Sequence, residues 1–224
     1  MNRLALAAAT LLTIGMVLVG CIVSDELTTI TIHPDGSADL VVFHSNVRSS
    51  EQGDKAAEEL RHYVETFEAR QDPDHVRVVA AGGEIVAAQW VRREVPYSDV
   101  FSARFPTATA LEKFLTIEGK EGELRLETRF SKDGARRSLR LVLRPPKDFK
   151  SSAPATVKED RQKQADGVSE TRFAVTDGRI VASRGFTVAD DGRSALLALD
   201  EIEALLRADP QRAELVLEWE VPGK

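Results

Sequence analysis

The chain has 224 residues, with 30 Lys and Arg against 36 Asp and Glu, one cysteine and 6% aromatic residues. That length suits one larger domain or two small ones, each able to bury a core without covalent staples. The net charge of −6 disfavours nucleic acid as a partner, because phosphate binding needs clustered Lys and Arg, and a single cysteine excludes a disulfide framework within the chain.

The chain begins with Arg3, an apolar run from Leu4 to Val19, then Gly20 and Cys21. A positive charge, an apolar stretch and a small residue before a cleavage point make up an export signal. The run is about 16 residues, short of the roughly 20 that a spanning helix needs. Leu18-Val19-Gly20-Cys21 resembles the lipobox of bacterial lipoproteins. That resemblance implies that Cys21 becomes the acylated first residue of the mature chain, with two or three palmitate-type chains. One such chain anchors a protein only marginally, each buried methylene contributing about 0.8 kcal/mol, so two or three anchor it permanently. The expected partner is therefore a membrane, reached through lipidated Cys21. The expected address is the extracytoplasmic surface of the cell envelope, at the outer membrane in a two-membrane bacterium, since Ile22 rather than Asp follows the cysteine. Removing residues 1–21 takes away one Arg and leaves 203 residues, with 29 basic and 36 acidic side chains.

Only Ile22 to Asp25 precede the first strand-like run, and at 3.6 Å per residue at most this places the folded body within roughly 15 Å of the bilayer. Residues 26–33 and 37–47 flank Pro34-Asp35-Gly36, a hairpin signal in which Pro presets φ and Gly takes the positive-φ site. A two-residue loop at Asp35-Gly36 sets Ile30 opposite Val41 and Thr28 opposite Phe43, with Leu40 and Val42 on the other face. Ser49-Ser50 then offers a cap to a helix over 51–71, in which Ala56, Leu60, Tyr63, Val64 and Phe67 recur at helical spacing. Asp72-Pro73-Asp74 stops that helix. Residues 75–81 and 84–95 are expected as a second hairpin about Gly82-Gly83, with Val76, Val78, Ile85 and Val91 on one face.

After Phe105-Pro106, Thr109 and Glu112 have capping-box spacing, and Leu111, Phe114 and Leu115 share one helical side. A third hairpin about Asp133-Gly134 pairs Leu124, Leu126 and Phe130 with Leu143, Leu141 and Arg137, with Glu127 opposite Arg140 on the wet face. From Pro145 to Ser169, prolines, lysines, glutamines and serines read as a linker or mobile loop. Strands at 170–176 and 179–188 about Asp177-Gly178, and at 194–199, lead to a helix capped by Asp200 with Glu203 in the reciprocal position. Asp209-Pro210 stops it, and 214–221 alternates as a last strand. About nine strands joined mainly by hairpins, with three helices, give an α+β class: a mostly antiparallel sheet with helices packed on one face. The expected organisation is a signal peptide over 1–21, a main ectodomain over 22–144, a linker over 145–169, and a segment over 170–224 that completes the sheet or forms a small second domain.

The stretch from Cys21 through Thr28-Thr29-Ile30-Thr31-Ile32-His33-Pro34-Asp35-Gly36-Ser37 to Val42 resembles the start of LppM-type lipoprotein ectodomains. It implies a non-enzymatic α+β envelope domain in contact with lipid. Glu59 and His62 have the spacing of one half of a di-metal helix, but such sites need two copies. Asp72, Asp74 and His75 combine oxygen and imidazole ligands, but equally form a helix stop and turn. His33 and His44 fall far apart in the hairpin, and Asp35 and Asp39 flank its turn. Arg92-Arg93 and Arg136-Arg137, the densest basic spots, are expected on solvated faces. No glycine-rich phosphate loop, H-E-x-x-H, G-x-S-x-G or Ca-loop spacing occurs, so neither catalysis, a metal nor a cofactor is expected. The leading expectation is an envelope lipoprotein that binds or scaffolds another envelope component, protein or lipid. The alternative is a domain for a lipid or other hydrophobic ligand, lined by Phe67, Trp90, Phe114 and Trp219, and a less favoured one is an envelope hydrolase.

Overall fold

The computed structural model describes residues 22–119, 123–146 and 169–222. The expected signal segment, Cys21 and most of the expected linker lie outside the described residues. In chain order the elements are β1 (Ile22–Ile32), β2 (Ala38–Ser49), α1 (Gly53–Glu68), α2 (Pro73–Ala80), β3 (Glu84–Arg92), β4 (Tyr97–Phe105), α3 (Ala108–Leu115), β5 (Arg125–Asp133) and β6 (Arg136–Arg144). After these come β7 (Ser169–Val175), β8 (Arg179–Arg184), β9 (Phe186–Val188), β10 (Ser194–Leu197), α4 (Leu199–Ala208) and β11 (Ala213–Glu220). The fold is α+β. A seven-stranded sheet runs β3-β4-β2-β1-β7-β10-β9, and a four-stranded sheet runs β5-β6-β11-β8. Every pairing is antiparallel except β1 with β7. No helix among the described residues is long and apolar enough to cross a membrane.

Period-two alternation decides which side of each strand is wet. Ile30, Ile32, Leu40, Phe101, Phe105 and Phe173 point inward from the large sheet. They share one core with Leu126, Leu139, Leu141, Leu143, Leu215, Leu217 and Trp219 of the small one. Leu111, Leu115, Ile202 and Leu206 complete the core from α3 and α4. Residues 169–220 supply strands to both sheets, because β7, β10 and β9 extend the large sheet beyond β1 while β8 and β11 extend the small one beyond β6.

Several expectations give way to the structure. In the first hairpin Ile30 pairs with Leu40 and Thr28 with Val42, because the loop holds five residues, His33–Ser37, closed by His33 N–H to Ser37 O at 2.9 Å. A shift of one residue exchanges the faces, so Val41 and Leu27 lie on the outer face, 42% and 41% exposed. Residues 73–80 form a helix and not a strand. Asp72 caps it by accepting from the N–H groups of Asp74 and His75, with Pro73 in the first turn. Val76 and Val79 are exposed and Val78 is buried. A strand the pattern did not reveal, β4, lies between β3 and β2 in the large sheet. In the third hairpin Phe130 pairs with Leu139, Leu126 with Leu143 and Glu127 with Val142, a two-position offset that preserves the faces. β7 and β8 belong to different sheets and form no hairpin.

The caps also differ: Gln52 precedes α1 and Ala198 precedes α4, neither with a side-chain cap bond, while Thr107 caps α3. Arg137 is buried and not solvated. Its guanidinium donates to the carbonyls of Pro34 and Gly134, both at 2.7 Å, and so ties the tip of one hairpin to the other.

Candidate functional site

One half of the inner face of the large sheet is apolar; the other half carries a row of charge. The pairing of β1 with β2 sets Glu26 beside His44, that of β2 with β4 sets His44 beside Asp99, and that of β4 with β3 sets Asp99 beside Trp90. Cross-strand neighbours of this kind lie close enough for their side chains to touch. His44 Nδ1 lies 2.9 Å from Asp99 Oδ1, and the Tyr63 hydroxyl of α1 donates to Asp99 Oδ2 at 2.5 Å. On the far side of the ring, His44 Nε2 faces Asp74 Oδ2 of α2 at 3.8 Å and Glu26 Oε2 at 4.0 Å. Thr28 Oγ1 donates to Glu26 Oε1 at 2.7 Å.

Asp99 is fully buried and His44 is 8% exposed, which decides the electrostatics. Burial alone would discharge the imidazole. The hydrogen bond that the ring donates to Asp99 and the charges of Asp99, Asp74 and Glu26 outweigh it and raise His44 to about 9. His44 is thus a cation at neutral pH. Burial raises Glu26 and Asp74 above their ordinary carboxylate values, partly offset by the charge of His44. Burial and the neighbouring Asp99 also raise the Tyr63 phenol, which keeps it a donor. Arg77 borders the cluster from α2, its own basicity reduced by burial, and its guanidinium lies 4.5 Å over the Phe114 ring while donating to the Phe114 carbonyl.

A second histidine sits behind the first. His75 is wholly buried, with ring centroids 4.6 Å from Phe101 and 5.5 Å from Phe67. Its Nδ1 is set against Asp72 Oδ2, and its Nε2 has no hydrogen-bond partner among the described residues. Among the described residues no group of three or more His, Cys, Asp or Glu side chains is arranged to hold a metal ion.

The candidates named from sequence are dispersed. Phe67 and Trp90 touch, 4.7 Å between centroids, beside Tyr63 and Tyr97. Phe114 stacks on Phe105 at 4.8 Å and Trp219 on Phe130 at 5.9 Å, so the four aromatics form three separate groups. Glu59 accepts from the Ser49 hydroxyl, and His62 is exposed. His33 lies at the opposite end of the hairpin from His44, bonded to Asp39 at 2.9 Å, with Arg104 on the other Asp39 oxygen at 2.9 Å. This trio borders a shallow groove of about 600 Å³. A larger groove of about 890 Å³ lies between Arg179, Asp190, Arg193 and Glu220. Neither groove includes a residue of the His44 cluster. Asp99 and Tyr63 were not singled out as site residues from sequence. Asp99 belongs to the unrecognised β4, and Tyr63 read only as one of an apolar stripe.

No protein-family model matches the chain, and no curated protein matches it. Among solved structures, the NMR structure of the folded domain of the Mycobacterium tuberculosis LppM protein is similar to it, with a TM-score of 0.41 and 9% identity, over 93% of this chain and 95% of that one.

Proposed function

We propose that this chain is a lipid-anchored lipoprotein of the cell envelope, non-enzymatic, whose ectodomain binds or scaffolds another envelope component at the bilayer surface. The observation that carries the reading is that Ile22 already belongs to β1. The residue that follows Cys21 of the lipobox-like sequence is in the sheet, so an acylated Cys21 leaves no stalk at all between lipid and sheet. A body held this close meets only partners that are themselves at the membrane. The outer face of β1, β2 and β4 offers them a half-exposed apolar strip, Leu27, Val41, Phe43 and Val100, rimmed by Asp39, Arg104, Glu170 and Arg172.

The electrostatics favour binding over hydrolysis. A histidine acting as a general base must be unprotonated at its working pH, and His44 is a buried cation whose Nε2 faces two carboxylates. The separation of Phe67 and Trp90 from Phe114 and from Trp219 favours an external partner over a ligand held between sheet and helices. Crosslinking in intact cells tests this. A discrete envelope partner is expected with the native chain and is lost on Val41→Lys; recovery of bulk lipoproteins alone, unchanged by the substitution, contradicts it.

A further inference from the structure

If β1 starts at the lipid anchor, the end of the sheet that holds Ile22 is the end nearest the bilayer. Ile22 pairs with Ser49, Val47 with Tyr97, and Ser98 with Arg92. The β3–β4 turn, residues 93–96, therefore lies at that same end. It stands two to three strand spacings to the side of β1, about 10–14 Å at roughly 4.8 Å each.

Two observations mark this turn. First, two large apolar side chains stand exposed at this tip, one at the end of β3 and one in the turn, on either side of Arg92, Arg93 and Glu94. Val91 is 60% and Val95 56% exposed. The register of β3 shifts between Trp90 and Arg92, so Val91 is an extra residue without a partner in β4, and a bulge re-aims the residue it carries. Second, the chain has two tyrosines and two tryptophans, and three of these four cluster here. Tyr97 opens β4 with its ring 5.6 Å from Trp90, and Trp90 lies 6.2 Å from Tyr63. Trp90 and Tyr97 are both only partly buried. Tyrosine and tryptophan favour the boundary between headgroups and water, where one end of the ring is wet and the other apolar. Charge is nearly balanced at the tip, since Arg93 pairs with Glu68 and Glu94 is its neighbour.

We propose that the β3–β4 turn seats in the lipid interface, with Val91 and Val95 among the acyl-chain ends and Tyr97 at headgroup level. It is a second attachment beside acylated Cys21 that fixes how the domain stands on the membrane. The occupant is the bilayer itself, recognised through apolar insertion and not through anionic charge. The inference rests on the anchored-lipoprotein reading above.

The test uses the full lipidated chain reconstituted into phosphatidylcholine vesicles. With Cys21 acylated, Val91→Cys and, separately, Val95→Cys give one thiol each for an environment-sensitive fluorophore. Val181→Cys, on β8 of the other sheet and 49% exposed, is the reference. Nitroxide groups near the headgroups are expected to remove most of the emission from labels at 91 and 95 and to leave the label at 181 unchanged. If the protein floats with the vesicles but all three labels respond alike, the anchor stands and the turn contact is overturned. A protein that does not float overturns the anchor, and the turn contact with it.

Discussion

At the scale of residues, the sheet holds a buried positive charge by surrounding it with acids. Removing one partner of such a set leaves the others uncompensated, a loss of about 3–5 kcal/mol for a fully buried pair. His44→Ala is expected to cost that much in urea unfolding, and Tyr63→Phe about 1–3 kcal/mol, because Asp99 loses a donor it cannot replace from water. The pH dependence has a definite sign. The folded value of His44, about 9, is above its ordinary 6.5. Its contribution is complete below pH 6.5 and is lost as pH rises through 9. Glu26 and Asp74 are also raised, so their ionisation weakens the fold as pH climbs out of the carboxylate range. Both effects place maximal stability on the acid side of neutral. Equilibrium unfolding between pH 5 and 10 is expected to show this decline, and His44→Gln, though less stable throughout, is expected to flatten the limb between 6.5 and 9. A native chain equally stable at pH 6 and pH 9.5 contradicts the assignment.

At the scale of elements, local chemistry decided more than periodicity did. Residues 75–81 alternate like a strand, yet Asp72 and Pro73 are the N-cap and first-turn residues of a helix over Pro73–Ala80. The cap is the stronger signal because it satisfies two N–H groups that a strand would have paired elsewhere. Asp72→Ala is expected to cost about 1 kcal/mol, with the helical loss read by circular dichroism. The β1–β2 turn was legible as a turn but not in length, since Asp35-Gly36 suits a two-residue loop as well as the five-residue loop that forms. Gly36 has φ +91°, and a Cβ there would meet Ala108 Cβ at 2.7 Å and Phe130 Cε1 at 2.8 Å. Gly36→Ala therefore adds backbone strain of about 1–3 kcal/mol to a clash with α3, and is expected to lower the melting temperature. β4 was illegible because Tyr97–Phe105 mixes Ser, Asp and Arg with its apolar residues. Its one conspicuous acid, Asp99, turns out to be the partner of a histidine 55 residues earlier. No local pattern reports a contact at that separation.

At the scale of the molecule, the α+β class and the final strand were readable from alternation, whereas the division into two sheets was not. The Asp177-Gly178 turn looks like a hairpin, but the chain uses it to pass from one sheet to the other. Because β7 lies against β1 while β11 lies between β6 and β8, a chain truncated after Arg144 strips strands from both sheets. It is expected not to fold, as judged by near-ultraviolet circular dichroism; a cooperative melt from such a fragment contradicts the shared core. In the proposed anchoring at Cys21, the end of the large sheet nearest the bilayer has the polar row of Glu26, His44 and Asp99 just inside it, and the His33–Asp39–Arg104 trio lies at the far end. All of this placement depends on the sulfur of one residue. Intact mass spectrometry of the protein isolated from its native membrane is the direct measurement. A polypeptide beginning at Cys21 and carrying the added mass of fatty acyl chains is predicted. One beginning at Met1, or at Cys21 with no added mass, contradicts the account.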